Sequence, residues 1–175
     1  MHQSLSQLAM VRVKGAQPSV DKTVRKTDEV KISLQSWATL EHYLIELKSQ
    51  IEQCFKIDLV GIDKPEILSY HEGHFFDWHT DGSDDDPMTR NRKVTTVVYL
   101  NGADEASGTD HYIGGELEIY AHDLIPKEEY KARSLKLSPE TGLLVSFGSR
   151  VLHRVQPILK GTRYVIVAHW ISQLP

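Results

Sequence analysis

Between residues 34 and 55 the apolar positions recur at helical spacing. Trp37, Leu40, Leu44, Leu47, Ile51 and Cys54 are separated by steps of three and four, which places them on one helix face. Ser36 stands just ahead of this stripe and is the expected N-cap, since its hydroxyl can accept a free backbone N–H. From about residue 66 the pattern changes to short runs rich in Val, Ile, Leu, Tyr and Phe, broken by Gly, Pro and Asp clusters. The runs are Glu66–Tyr70, Phe75–Asp81, Lys93–Leu100, Glu116–Tyr120, Ser134–Leu137, Leu143–Phe147, His153–Gln156 and Tyr164–Ile171. Many short strands separated by turns predict a mainly β fold, a barrel or jelly roll, with the helix packed on the back of a sheet. Two polar, Gly- and Asp-containing stretches, 82–91 and 101–114, read as loops long enough to be functional lids.

Composition narrows the classes. The chain has 175 residues, a single domain's worth, with 40% apolar and 25% charged residues. Residues 1–175 are therefore read as one domain, with amino-terminal strands and a support helix in 1–65 and a β core over 66–172. A net charge of −4 gives no reason to expect a nucleic-acid or anionic-membrane partner. The basic stretch Lys22–Lys31 is interrupted by Asp28 and Glu29 and reads as solvated surface. Cys54 is the only cysteine, so no intramolecular disulfide can form, which fits a reducing compartment. The first residues show no secretory pattern, and no apolar run approaches the ~20 residues of a membrane helix, so a cytoplasmic location is expected.

Chemistry enters with histidine. Of nine, seven lie at or after His71. His79 and Asp81 are two apart at the end of a strand run, so strand alternation points both the same way while Trp78 and Thr80 point oppositely. His-x-Asp alone is a weak pattern. His153, which follows the run 143–147 and a short turn, offers a third ligand. Two histidines and one carboxylate on one face of an octahedral ion leave open positions, an arrangement suited to oxygen-activating iron(II). Ten residues after His153, Arg163 offers a guanidinium that pairs a carboxylate in bidentate fashion. On spacing alone Arg163 can equally cap a strand end in a surface ion pair. Beside an iron with open sites, it meets the requirement of a keto acid with a distal carboxylate.

These residues fall within segments that resemble a known family. Tyr70–Asp81 (YHEGHFFDWHTD), Thr96–Asn101 (TVVYLN), Gly114–Ile119 (GGELEI) and Phe147–Arg163 (FGSRVLHRVQPILKGTR), followed by Trp170, resemble the prolyl 4-hydroxylase-like branch of the iron(II)/2-oxoglutarate dioxygenases. Val24–Thr27 looks like the arginine-bearing first strand of that branch. The resemblance implies a double-stranded β-helix (a jelly-roll or cupin-like barrel). It implies His79, Asp81 and His153 as iron(II) ligands and Arg163 as the partner of the distal carboxylate of 2-oxoglutarate. Tyr99 resembles a tyrosine that donates its hydroxyl to that carboxylate, and Tyr70 one that lines the pocket. The implied reaction consumes O2, yields succinate and hydroxylates an unactivated C–H bond, with ascorbate as reductant. Related halogenases replace the carboxylate ligand with a small residue, and here Asp81 is intact. Collagen-type members usually carry lysine where Arg163 stands, and arginine is closer to the oxygen-sensing and bacterial members.

The substrate implied by the branch is a prolyl residue in a protein or peptide. The alternatives are a free amino acid or other small molecule, and a non-catalytic metal-binding module. His71 and His74 are read as loop residues, because His-Glu-Gly-His lacks the spacing of a helical zinc motif. Asp84–Asp86 read as a solvated flap near the site's mouth. Trp78, Phe76 and Trp170 are expected in the core. His169 shares a face with Arg163 and is either a wall residue or a satisfied core histidine. Gly114 and Gly115 are expected to form a tight turn.

Overall fold

The computed structural model describes residues 10–11, 23–103, 111–120 and 134–173. After β1 (Met10–Val11) come three two-residue strands, β2 (Arg25–Lys26), β3 (Asp28–Glu29) and β4 (Lys31–Ile32). Two helices follow, α1 (Leu34–Glu46) and α2 (Lys48–Phe55). The remaining strands are β5 (Gly61–His71), β6 (Phe75–His79), β7 (Arg92–Tyr99), β8 (Ile113–Gly114), β9 (Leu117–Tyr120), β10 (Ser134–Leu137), β11 (Leu144–Gly148), β12 (His153–Val155), β13 (Ile158–Lys160) and β14 (Thr162–Ile171). Among the described residues no helix is long and apolar enough to cross a membrane.

Two five-stranded antiparallel sheets carry the fold. The major sheet runs β11-β7-β14-β5-β3 and the minor sheet β10-β9-β12-β6-β2. The mainly β architecture is as the strand texture predicts, and its two facing sheets form the double-stranded β-helix that the resemblance implies. Along β14 the side chains divide by parity. Ile166, Ala168 and Trp170 face outward to the helices, whereas Arg163, Val165, Val167 and His169 face the interior between the sheets. Leu40 and Leu44 of α1 pack with Val98, Ile67 and Ile166, and Ile51 of α2 packs with Val94 and Trp170. The helical stripe therefore sits on the back of the major sheet, as expected. Trp170 is fully buried, and its indole N–H donates to Thr96 Oγ1 at 2.9 Å.

Several local expectations need correction. The cap of α1 is Ser33, whose extended backbone lets its hydroxyl accept the N–H of Ser36 at 3.1 Å. Ser36 lies three residues inside the helix, a donor rather than the cap. The single periodic stretch divides at Leu47, whose N–H bonds tightly back to Leu44, so Cys54 leaves the stripe and is exposed. β5 begins at Gly61, five residues before the predicted run, and β8 and β13 lie outside every predicted run. Gly114 and Gly115 both have positive φ (81° and 70°), but Gly114 ends β8 rather than forming a turn, and a Cβ on it would come 2.5 Å from the Pro157 carbonyl oxygen. Residues 104–110, half of the second predicted loop, lie outside the described residues.

Candidate active site

The register of β6 against β12 sets His79 directly opposite His153, with ring centroids 4.1 Å apart. β6 ends at His79, so Asp81 is not a strand residue. Its position comes from the turn beyond, where the N–H groups of Asp81 and Gly82 both donate to the Ser149 carbonyl at 2.8 and 2.9 Å. Gly82 is needed there, since an added Cβ would meet Arg92 O at 3.0 Å and Ser149 Cβ at 3.2 Å. The result keeps the predicted geometry. Asp81 Oδ1 lies 3.6 Å from His79 Nε2, and Oδ2 lies 3.4 Å from His153 Nε2. One ligand atom from each of the three residues falls within 4.8 Å of the others.

Each imidazole is oriented by its own backbone. His79 Nδ1–H donates to the Asp77 carbonyl at 2.7 Å, and His153 Nδ1–H to that of Val151 at 2.9 Å. These bonds leave both Nε2 lone pairs on the Asp81 side, as metal ligation requires. Aromatic rings hold the imidazoles in place. Phe76 stacks on His79 with 10° between planes, and Phe147 meets His153 edge-on at 4.6 Å. Phe76 is on this face because the ladder carries a bulge, with Val155 pairing Phe76 while His153 pairs His79. Phe76 is thus a wall of the site and not a simple core residue. Trp78 points away, half-buried, with the Arg154 guanidinium 4.7 Å above its ring.

The charges of the cluster suit a cation. Burial opposes ionisation of Asp81, but its bond with His79 and the nearby His153 and His169 outweigh this and hold its carboxyl well below the usual range. Burial lowers the pKa of His153, partly offset by Asp81, so its ring favours the neutral, ligating form. The Thr95 hydroxyl donates to Asp81 Oδ2 at 2.7 Å, a contact invisible in the spacing of the motif.

From this cluster a cavity of about 380 Å³ runs between the sheets to Arg163. Arg163 is 1% exposed, and its guanidinium lies 4.8 Å over Tyr70 and 5.1 Å over Tyr99. Register explains this, because Arg163 pairs Tyr70 and Val165 pairs Tyr99. Arg163 Nε and Nη1 and the hydroxyls of Tyr99 and Tyr112 are buried with no hydrogen bond among the described residues. A buried guanidinium with open N–H groups costs free energy that a bound carboxylate would recover. The surface-ion-pair alternative for Arg163 is therefore excluded. Tyr112, absent from the sequence reading, completes the phenol ring about Arg163. It adjoins residues 104–110, and no strand pattern marks it.

Two ion pairs also line the cavity. Arg92 donates from Nε and Nη2 to Asp63 Oδ2 at 3.0 and 2.6 Å, and Arg25 lies 3.6 Å from Glu66. The stretch Lys22–Lys31 is thus not wholly solvated surface, because Arg25 turns inward over the Phe76 ring at 4.9 Å. His71 ends β5, which corrects its reading as a loop residue, whereas His74 lies in the loop that follows, as expected, and is buried there. Asp84 and Asp85 are exposed, as a flap requires, but the segment is tied down by Asp86, which accepts from Met88 N–H at 3.0 Å and Thr89 Oγ1–H at 2.9 Å.

Comparison with known proteins bears on the same segment. The family model of the 2OG-Fe(II) oxygenase superfamily matches residues 65–172, which contain the cluster and Arg163. The chain belongs to the 2OG-Fe(II) oxygenase superfamily. This oxygenase is 29% identical over 118 residues to a PKHD-type hydroxylase of Xylella fastidiosa (strain M12), covering 63% of this chain and 44% of the relative. It is 34% identical over 110 residues to a PKHD-type hydroxylase of Cupriavidus pinatubonensis, covering 63% of this chain and 43% of the relative. The matched portion is less than half the length of these relatives. Its fold is shared with a Pseudomonas putida prolyl-4-hydroxylase, with TM-score 0.67, 24% identity, and coverage of 89% of this chain and 76% of that one. It is shared too with a Trichoplax adhaerens prolyl hydroxylase solved with a hypoxia-inducible-factor peptide fragment, with TM-score 0.65, 22% identity, and coverage of 93% and 70%. Family membership and the His-Asp-His cluster together support iron(II) and 2-oxoglutarate as the groups this oxygenase uses.

Proposed function

We propose that this oxygenase hydroxylates a prolyl residue in a protein or peptide, with His79, Asp81 and His153 as iron(II) ligands and Arg163 as the anchor of 2-oxoglutarate. The observation that carries the reading is the pairing, in one cavity, of a three-ligand metal cluster with a buried guanidinium whose N–H groups are open. The prolyl hydroxylase neighbour solved with a peptide fragment supports a peptidyl substrate, and the PKHD-type relatives support hydroxylation. When bound, iron(II) with 2-oxoglutarate and O2 supplies oxidative decarboxylation to succinate and carbon dioxide, coupled to hydroxylation of a C–H bond.

The chain's residues supply binding, orientation and exclusion of water. Asp81 contributes the negative charge of the ligand set, with Oδ2 fixed by Thr95. His79 and His153 present Nε2 because their Nδ1 hydrogens are committed to carbonyls. Arg163 pairs with the distal carboxylate, and Tyr99, from beside it, supplies a hydroxyl to the same group. Tyr70 forms the wall under the guanidinium. Leu68, Val155, Val165 and Leu117 line the span between the two ends, an apolar sleeve that keeps water from competing with either charge. Residues 66–172 are the catalytic core, and the preceding segment supports it.

The test uses purified protein with iron(II), 2-oxoglutarate, ascorbate and a capped prolyl peptide. Succinate and a peptide heavier by one oxygen atom are expected, and Asp81→Ala abolishes both. Oxygen transfer to a free amino acid or metabolite in place of the peptide would move the substrate to the small-molecule class. Binding of iron and 2-oxoglutarate without decarboxylation, across both substrate classes, would reduce the chain to a binding module.

A further inference from the structure

His169 is a fourth histidine on the inner wall. β14 places it opposite Thr95 of β7 and Asp63 of β5, and it is 7% exposed. Thr95 has one hydroxyl hydrogen, and the 2.7 Å bond to Asp81 Oδ2 takes it. In the 3.2 Å contact between Thr95 Oγ1 and His169 Nδ1, the hydroxyl oxygen is therefore the acceptor and the ring N–H the donor. The ring is buried with Thr95 Oγ1 as its one hydrogen-bond partner among the described residues, and burial favours the uncharged imidazole. A neutral ring protonated at Nδ1 carries a lone pair at Nε2. None of the described groups bonds to Nε2, and the ring lines the cavity beside the metal cluster.

The other acceptors on this wall are already matched. Asp63, opposite His169, accepts two N–H groups of Arg92. Glu66, opposite Val167, stands 3.6 Å from Arg25. The charges balance in pairs, so the wall has no net call for a cationic ligand. A neutral acceptor at this depth is best matched by a neutral N–H, since an ammonium would be buried without a counter-charge.

We propose that His169 is a substrate-recognition residue whose Nε2 accepts a hydrogen bond from the backbone amide that follows the oxidised proline. The inference rests on the peptidyl-prolyl reading above. Proline has no N–H of its own, so the nearest donor on its carboxyl side is the amide of the next residue. The bond fixes the register of a peptide against the metal cluster, and it ties that register to Asp81 through Thr95. His169 thereby differs from a satisfied core histidine, which would have both ring nitrogens engaged.

The experiment has two arms on the full chain. In the zinc(II)- and 2-oxoglutarate-loaded protein, long-range 1H–15N correlation is expected to show His169 as the Nδ1–H tautomer. Its Nε2 resonance shifts on adding acetyl-Ala-Pro-Ala-amide, and less with the same peptide N-methylated at the amide after proline. An Nε2–H tautomer overturns the proposal. In the iron-loaded protein, His169→Asn keeps an N–H near the Nδ1 position but lacks the Nε2 acceptor. It is expected to raise KM for the unmethylated peptide about 5- to 10-fold, more than it lowers kcat, and to leave KM for the N-methylated peptide in place. His169→Gln, with an amide group near the Nε2 position, recovers part of the loss. Equal effects on both peptides, or no change in KM, overturn the role. If the unsubstituted protein oxidises neither peptide, the prolyl reading fails and takes the peptide contact with it. Hydroxylation with the wrong His169 tautomer removes the histidine's role alone.

Discussion

The hydroxyl of Thr95, on β7 of the major sheet, donates to Oδ2 of Asp81 at 2.7 Å, joining the metal cluster to the opposite wall of the barrel. Asp81 sits in a turn beyond β6, and its orientation depends on that bond and on the two N–H groups given to Ser149 O. Partners that orient a metal-bound group typically contribute 10- to 100-fold in affinity. Thr95→Val is accordingly expected to weaken cobalt(II) or iron(II) binding by about 10- to 100-fold, read by metal titration. Undiminished metal affinity in a folded Thr95→Val protein would show that the turn alone holds Asp81.

Arg163 and the metal cluster line one cavity but share no contact among the described interactions, so their functions should separate. Arg163→Met is expected to weaken 2-oxoglutarate binding by at least about 30-fold, the loss when one member of a buried charge pair is removed. Metal affinity measured without 2-oxoglutarate should hold. Arg163→Lys should recover part of the binding, because a point charge replaces the bidentate fork. Equal affinity of the Met variant and the parent for 2-oxoglutarate would remove Arg163 from the site.

Gly115 stands between Ile158 and the stem of Arg163. It has φ of 70°, and an added Cβ would overlap Ile158 Cδ1 and come within 3.4 Å of both Arg163 Cδ and Tyr112 Cε2. Gly115→Ala is expected to destabilise the protein by about 1–3 kcal/mol, from strained backbone and crowding together. It should also weaken 2-oxoglutarate binding, since the displaced atoms support the guanidinium. Chemical denaturation gives the first quantity and ligand titration the second.

Glu118 gives a pH dependence whose sign is fixed by its surroundings. Burial opposes its ionisation, but bonds from Ser134, from Arg154 (Nε at 2.7 Å) and from Gln156 (2.7 Å) prevail and lower its pKa. A depressed carboxyl binds fewer protons folded than unfolded, so its stabilisation is complete above the unfolded value near 4.5 and is lost as pH falls through the lower folded value. Urea midpoints measured downward from pH 6 should show this loss below about pH 4.5. Glu118→Gln should be less stable at pH 7 by about 1–2 kcal/mol and flatter across the acid window. A variant as steep as the parent would assign the acid sensitivity to another group.

Much of the candidate ligand set was legible locally. Two residues on one strand direction share a face, and His79-x-Asp81 exploits this even though β6 stops before Asp81. The helix stripe was likewise legible, and it lies on the back of the major sheet as its period requires. The misses follow from terms that local spacing does not contain. Ser36 looked like a cap because capping is read from residue type, but backbone dihedrals placed the start at Ser33. Trp78 and Phe76 were both assigned to the core by hydrophobicity. The bulge opposite Val155 instead turned Phe76 onto His79, while Trp78 lies half-buried under Arg154.

The sequence by itself determined the strand texture, the amphipathic helical stripe, and the identity and order of His79, Asp81, His153 and Arg163. The texture and stripe rest on periods of 2 and 3.6, and the shared face of His79 and Asp81 on strand alternation, whereas His153 and Arg163 are singled out by the resemblance of their segments to the family. Only the tertiary structure decided that His153 faces His79, that Tyr70, Tyr99 and Tyr112 surround Arg163, and that Thr95 links His169 to Asp81. Those relationships are set by cross-strand register and by bulges, where hydrogen bonds join residues far apart in the chain. A shift of one residue in any of these ladders would turn the same side chains to the opposite face and leave the sequence pattern unchanged.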